Sequence, residues 1–200
     1  MLEPPKDREI REFLAYLIET LERLQIPYMI VGGFAAILYG EPRLTIDVDI
    51  VVDLKPEQVG PLVMAFPISD YYISEEGVRD SVERRYPFNI IQPSTGAKID
   101  LVPLTGDPLT RRAFQRRQRM TYSEEGRSAW FISAQDIVIA KLVAYRQTGS
   151  DKHLRDARGV LIVQGTELDL EAVHRAAAAG GLLAEFERLL ELTRGKGEGQ

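Results

Sequence analysis

Two short stretches of the sequence place carboxylates where they can act together. Asp47 and Asp49 alternate with Ile46, Val48 and Ile50, which is the period of a β-strand, so both side chains point to one face. Their Cα atoms are then roughly 6–7 Å apart, at a rise of about 3.3 Å per residue. Two ionised carboxylates this close repel each other and favour a cation between them, so the pair is suited to binding Mg²⁺.

A third carboxylate, Asp100, lies in a second apolar segment that predicts a strand over 97–104. If the two strands are neighbours, about 4.8 Å apart, Asp100 completes a triad able to hold two Mg²⁺ ions roughly 4 Å apart. The alternative is a solvated strand face, because any half-exposed strand alternates apolar and polar residues.

A glycine pair offers the second chemical feature. Tyr28-Met29-Ile30-Val31 predicts a short buried strand, Gly32 and Gly33 follow at once, and residues 34–39 predict a buried helix. Glycines let backbone N–H groups approach a phosphate, and the N-terminus of a helix favours anions. Glycines after a strand are also typical of a simple turn. The pair therefore indicates phosphate binding only in combination with the acidic strands.

Hydrophobic periodicity predicts the elements that position these groups. The sequence favours an α/β chain with helices over 7–25, 34–39, 55–65, 75–85, 108–119, 133–147, 151–163, 169–179 and 181–193. The strands are expected over 28–31, 45–53, 87–92 and 97–104, with short ones near 119–123 and 128–132. Pro93-Ser94-Thr95-Gly96 predicts a hairpin turn. We divide the chain into a catalytic core (1–132), a helical region packed on it (133–194) and a flexible tail (195–200).

Composition excludes several kinds of chemistry. The 200 residues include no cysteine, which removes disulfides, thiolate nucleophiles and thiolate zinc sites. Only His153 and His174 are present, too few for a histidine-rich metal site. A net charge of −5 argues against coating nucleic acid through bulk charge. The absence of a long apolar stretch and of a signal peptide predicts a cytoplasmic protein without a membrane span.

A resemblance to the polymerase-β-like nucleotidyltransferase superfamily is carried by Val31-Gly32-Gly33-Phe34-Ala35-Ala36, then Gly40, Arg43, Thr45 and Asp47-Val48-Asp49. The stretch is most similar to minimal prokaryotic nucleotidyltransferases, including the abortive-infection (AbiEii-type) toxins. The clear part covers about residues 26–104. More loosely, Asp136-Ile137-Val138-Ile139-Ala140-Lys141-Leu142, followed by Lys152, Arg155 and Asp156, resembles helices of those toxins.

This resemblance implies a mixed β-sheet flanked by helices, with a helical C-terminal half, and a transfer of a nucleoside monophosphate from an NTP to an acceptor hydroxyl that releases pyrophosphate. It assigns two Mg²⁺ ions, replaceable by Mn²⁺, to Asp47, Asp49 and Asp100, with Asp100 also as the base. It assigns nucleotide binding to Gly32, Gly33, Arg43, Thr45, Lys141 and Asp156. Taken by itself, Lys141 either contacts the triphosphate or extends its ammonium to solvent.

The acceptor is left open by the sequence. Arg112, Arg116 and Arg119 are spaced to share one face of the helix expected over 108–119, which favours RNA or tRNA as the acceptor, although the same spacing is typical of a solvated basic face. The resemblance to toxins also favours RNA and implies a cognate antitoxin. The alternatives are a protein side chain or a small aminoglycoside-like molecule. A further alternative is a non-catalytic nucleotide-binding or interaction module, since Phe34 stands where many members of the superfamily carry serine.

Overall fold

The chain is divided into two compact units in a computed structural model that describes residues 5–41 and 48–194. Within the described residues, the first unit runs to Ile30 and resumes from Val48 to Phe131, and the second holds residues 31–41 and those from Ile132 onward. Three predicted site residues, Arg43, Thr45 and Asp47, lie outside the described residues, as does the expected tail over 195–200.

A mixed sheet forms the centre of the first unit. Its strands in the described part of the chain are β1 (Tyr28–Val31), β2 (Val48–Val52), β3 (Phe88–Gln92), β4 (Ala97–Pro103), β5 (Gln118–Thr121) and β6 (Ser128–Phe131). Their order across the sheet is β3-β4-β2-β1-β6-β5. The pairs β2–β4 and β1–β6 are parallel, while β3–β4 and β5–β6 are antiparallel hairpins. The mixed sheet and the hairpin predicted at Pro93–Gly96 are therefore confirmed, with Gly96 at a φ of +72°.

Alternation along the strands fixes which face of the sheet is buried. In β4, Ile99 and Leu101 are fully buried, whereas Lys98 and Asp100 are half-buried. Helix α1 (Pro5–Arg23) contacts β4 and contributes leucines without any exposed surface, namely Leu14, Leu17 and Leu21. Each such side chain contributes about 1.5–3 kcal/mol on burial, so the apolar face of the sheet is held against α1 and the other face keeps the polar residues.

The remaining helices of the first unit are short. They are α3 (Val59–Met64), α4 (Glu75–Arg84) and α5 (Pro108–Gln115), of which α4 and α5 begin at side-chain caps. A 3₁₀ turn at Pro56–Gln58 precedes α3, so the single helix expected over 55–65 is in fact two shorter pieces. The side chain of Asp107 accepts a hydrogen bond from the Thr110 N–H at 2.7 Å and thereby starts α5, since a free N-terminal amide needs such a partner.

Helices make up the described part of the second unit. They are α2 (Gly32–Tyr39), α6 (Ala134–Thr148), α7 (Asp151–Gln164), α8 (Leu170–Ala179) and α9 (Leu183–Arg194). At the start of α6, the buried Ser133 hydroxyl donates to Asp136 at 2.7 Å and accepts from the Asp136 N–H at 3.2 Å. Helix α2 packs against α6 and α7, a grouping that the sequence did not predict. No helix described here has the length and apolar character that a membrane span requires.

Helices α2 and α7 approach each other backbone to backbone at two glycines. A Cβ added to Gly40 would meet the Ala36 carbonyl oxygen at 2.8 Å and the Val160 amide nitrogen at 3.0 Å. A Cβ added to Gly159 would meet the Glu41 nitrogen at 3.3 Å. These neighbours are backbone atoms, which cannot rotate away, so the contact requires glycine.

We therefore expect Gly40→Ala to lower the free energy of unfolding by about 1–3 kcal/mol, because the added methyl overpacks the contact between α2 and α7. Urea denaturation followed by far-UV circular dichroism measures the effect. Gly60→Ala is the matched control: within α3 its nearest neighbours are side-chain atoms of Glu75 and Arg79 at 3.8 and 3.9 Å, and alanine favours a helix. A Gly40→Ala protein as stable as the wild type would contradict the close approach.

Candidate active site

Asp49 and Asp100 face each other across neighbouring parallel strands. They are direct Cα partners in the register of β2 with β4, where adjacent strands lie about 4.8 Å apart. Both side chains are half-buried and lie on the face opposite Ile50, Ile99 and Leu101. The sequence predicted that Asp100 would join the acidic pair if its strand lay next to the strand of Asp49. Strands β2 and β4 are indeed neighbours. Asp47, the third carboxylate of the predicted triad, lies outside the described residues.

Lys98 contributes a positive charge to this acidic face. Its Nζ lies 2.7 Å from Oδ2 of Asp100, and the side chains are 43% and 25% exposed. Residues i and i+2 of a strand share a face, which places Lys98 beside Asp100. We did not predict a role for Lys98 from the sequence, although the same spacing rule that paired Asp47 with Asp49 would have indicated it.

A third polar residue, Asn89, continues the row across the sheet. It is the Cα partner of Asp100 in the antiparallel register of β3 with β4. Directly opposed residues in such a pair have Cβ atoms about 4.5–5.5 Å apart, which lets their side chains interact. Asp49, Asp100 and Asn89 therefore present oxygen-bearing side chains at one level of three consecutive strands. Asn89 could not be predicted from the sequence, because its alignment with Asp100 depends on the register of β3 with β4.

The glycine pair begins a helix, as expected, two residues earlier than the periodicity indicated. Gly32 has a φ of +69°, a conformation that side chains disfavour, and it opens α2 directly after β1. The N-terminus of α2 receives no side-chain capping bond, since Val31 occupies the cap position. Gly32 and Gly33 are both partly exposed. Backbone N–H groups in this first turn are suited to meeting an anion.

Lys141 and Asp156 form a buried ion pair between α6 and α7. The Lys141 Nζ donates to Asp156 Oδ2 at 2.7 Å, and the side chains are 7% and 5% exposed. The alternative in which Lys141 extends to solvent is therefore wrong, because its ammonium is held inside by a carboxylate on the facing helix. The contact between the two side chains joins α6 to α7. A role of Lys141 and Asp156 in nucleotide binding stays a prediction.

A cavity of about 360 Å³ lies beside this pair in the second unit. It is lined by Ala36, Ile37, Glu41, Lys152, Arg155, Asp156 and Gly159. Burial lowers the pKa of the neighbouring His153, and the Lys141 ammonium lowers it further. The cavity is thus lined by two exposed cations, Lys152 and Arg155, and by the buried Asp156.

The expected basic helical face does not form. Helix α5 ends at Gln115, Arg116 is its C-terminal cap, and Arg119 lies in strand β5. Hairpin pairing explains the difference, because Arg119 pairs with Trp130 of β6 and lies over its ring. Arg119 also bonds to Glu22 of α1 at 3.1 Å. The idea that Arg112, Arg116 and Arg119 share one helical face is therefore wrong.

The donor set on the acidic face fits a divalent cation. Mg²⁺ prefers hard oxygen ligands, and one or two carboxylates usually suffice when phosphate oxygens complete its shell. Asp49 and Asp100 supply two such carboxylates, and the Lys98 ammonium beside Asp100 shows that this face accommodates a cation. Within residues 5–41 and 48–194, no three acidic or histidine side chains converge on a metal position.

Comparison with known proteins identifies the fold. No protein-family model and no curated protein matches the chain. Among solved structures, it is similar to an antigenic nucleotidyltransferase-like protein from Paracoccidioides brasiliensis, at 24% identity and a TM-score of 0.51, over 77% of this chain and 74% of that one. It is also similar to the antibiotic-resistance factor ANT(2'')-Ia, at 15% identity and a TM-score of 0.55, over 92% and 98% of the two chains. The chain therefore has a nucleotidyltransferase-like fold.

Proposed function

We propose that the protein is a metal-dependent nucleotidyltransferase that moves a nucleoside monophosphate from an NTP to an acceptor hydroxyl. The single observation that carries the proposal is the register of Asp49 against Asp100, which sets two carboxylates side by side on the polar face of the sheet. The nucleotidyltransferase-like fold and the glycine pair at the start of α2 support it. Asp47, which the sequence pattern predicts to share a strand face with Asp49, is the third proposed ligand.

In this proposal the carboxylates of Asp47, Asp49 and Asp100 hold Mg²⁺, which Mn²⁺ can replace. When bound, the metal supplies charge neutralisation of the triphosphate and of the developing pyrophosphate. Gly32 and Gly33 offer backbone N–H groups to phosphate oxygens, with Arg43 and Thr45 as further proposed contacts. Lys141 and Asp156, whose buried pair joins α6 to α7, are the remaining proposed nucleotide-binding residues.

The proposed chemistry is an in-line displacement at the α-phosphorus. The acceptor oxygen forms a bond to this phosphorus, the bond from the phosphorus to the bridging oxygen of pyrophosphate breaks, and the electron pair leaves with pyrophosphate. Asp100 accepts the proton of the attacking hydroxyl. The contribution of the chain is positioning and fixed charge, which together supply most of the catalysis in transfers of this type.

The acceptor we favour is a small cationic molecule that carries a hydroxyl, ahead of RNA. The arginines that favoured RNA do not form one face, and Arg119 is engaged with Glu22 and Trp130. A net charge of −5 opposes a polyanion and attracts a cation. RNA or tRNA remains the second candidate, with Arg112 and Arg116 as exposed cations near the end of α5.

Label transfer tests the function. Each of four α-³²P-NTPs is incubated with the protein and Mg²⁺, together with total RNA in one series and a pool of aminoglycoside-like hydroxyl compounds in another. We expect label on one acceptor, with one pyrophosphate released per transfer and no reaction in EDTA. NTP binding without transfer to any acceptor would instead favour the non-catalytic module that Phe34 suggested. No binding of any NTP would overturn both readings.

A further inference from the structure

We propose that Lys98 is a built-in counter-cation of the Asp49–Asp100 pair, which holds Asp100 while no metal is bound and competes with the metal for that carboxylate. The inference rests on the proposed function, since it concerns the same metal site. It assigns Lys98 a positioning and regulatory role that sets how tightly a divalent cation binds beside Asp100.

The geometry gives Lys98 direct access to a proposed metal ligand. Its Nζ lies 2.7 Å from Oδ2 of Asp100, well within ion-pair distance. Both residues lie on β4 two positions apart and share the polar face of the sheet with Asp49. The Asp100 side chain is 25% exposed, so water screens this pair less than it screens a fully exposed one.

Electrostatics supplies the reason for a cation at this point. Asp49 and Asp100 are register partners, and two carboxylates on adjacent strands repel each other when nothing lies between them. Asn89, the neighbour of Asp100 on β3, is uncharged and cannot offset this repulsion. The Lys98 ammonium, 2.7 Å from Asp100, offsets part of this repulsion and holds the Asp100 side chain in place.

The same contact lowers the affinity of this site for a metal ion. An ammonium hydrogen-bonded to Oδ2 reduces the negative charge that Asp100 presents to a divalent cation, and the two cations repel each other. Metal binding at Asp100 therefore works against the Lys98 contact. Removing the ammonium removes this competition, which tightens metal binding, and it also removes the ion pair of Asp100 from the apo protein.

Titration of Mn²⁺, with the free ion followed by electron paramagnetic resonance, tests the inference without any measurement of activity. We expect Lys98→Met to bind Mn²⁺ about two- to fivefold more tightly than the wild type, the range expected for loss of a partly exposed ion pair. We also expect a lower apo Tm and a larger rise of Tm on adding Mn²⁺. Lys98→Arg keeps the charge and should stay within about twofold of the wild-type Kd.

Arg84→Met is the matched control, because it removes an ion pair of similar length, 2.8 Å to Asp80, from the exposed face of α4. It should leave Mn²⁺ binding unchanged. Equal or weaker Mn²⁺ binding by Lys98→Met would overturn the role of Lys98 while leaving the proposed function standing, provided that Asp49→Asn abolishes binding. Absence of Mn²⁺ binding from the wild type and Lys98→Met alike would overturn both, whereas binding by Lys98→Met alone would support the competition.

Discussion

Asp49→Asn is expected to lower the rate of nucleotidyl transfer by roughly a thousandfold or more while leaving the fold intact. The substitution keeps the shape of the side chain but removes a negative charge from the pair that faces Asp100 in the β2–β4 register. A neutral amide binds Mg²⁺ more weakly and cannot offset the charge of the metal that carries the triphosphate. Initial rates of label transfer from the preferred α-³²P-NTP measure the loss.

The stability of the Asp49→Asn protein should stay within about 1 kcal/mol of the wild type, because asparagine keeps the shape of the half-buried side chain. Urea denaturation then separates lost chemistry from lost folding. Asp70→Asn is the control, an exposed carboxylate in the loop between α3 and α4 that should leave the rate within about twofold. If Asp49→Asn were to transfer label at the wild-type rate, the acidic face would not be the active site.

Lys141→Met is expected to lower the free energy of unfolding by about 3–5 kcal/mol. It leaves Asp156 with its carboxylate inside the protein and without the ammonium that contacts it at 2.7 Å. Removing one partner of a buried ion pair is costly because the remaining charge stays desolvated. Differential scanning calorimetry should show a fall in Tm of about 10 °C for a chain of this size.

Lys141→Met/Asp156→Leu separates a structural role from a role in nucleotide binding. Removing both charges together should restore most of the stability, since an apolar pair of similar volume packs well in the same space. If Lys141 and Asp156 also contact nucleotide, the double variant will be stable and yet bind NTP weakly. Lys152→Met, on the exposed side of α7, should change stability by less than about 0.5 kcal/mol. A Lys141→Met protein with wild-type stability would contradict the cost assigned to the buried pair.

Local patterns in the sequence were sufficient to predict most of the helices, strands and turns. The apolar run Tyr28–Val31 is a strand with the predicted bounds, and the turn at Pro93–Gly96 joins the predicted antiparallel pair. Alternation in β4 correctly separated the buried Ile99 from the half-buried Asp100. These predictions were correct because strand periodicity, turns and burial are each determined by a few adjacent residues.

Features that depend on contacts between residues far apart in the chain could not be predicted from local sequence patterns. The spacing of Arg112, Arg116 and Arg119 is helical, yet pairing of β5 with β6 outweighs local preference and ends the helix at Gln115. The ion pair of Lys141 with Asp156 joins two helices, so neither residue reveals it alone. Asn89 likewise enters the polar row only through the register of β3 with β4.

During synthesis, α2 leaves the ribosome well before the helices against which it packs. Helix α2 emerges early, but α6 and α7, on which it packs, are encoded about a hundred residues later. The Gln164 side chain bonds to the Tyr39 carbonyl across 125 residues of chain. At about 5–20 residues per second, a ribosome needs roughly 6–25 s to span that distance. The nascent chain therefore exposes the apolar surface of α2, including Ala35, Ala36 and Tyr39, for seconds, an interval in which a chaperone can bind it.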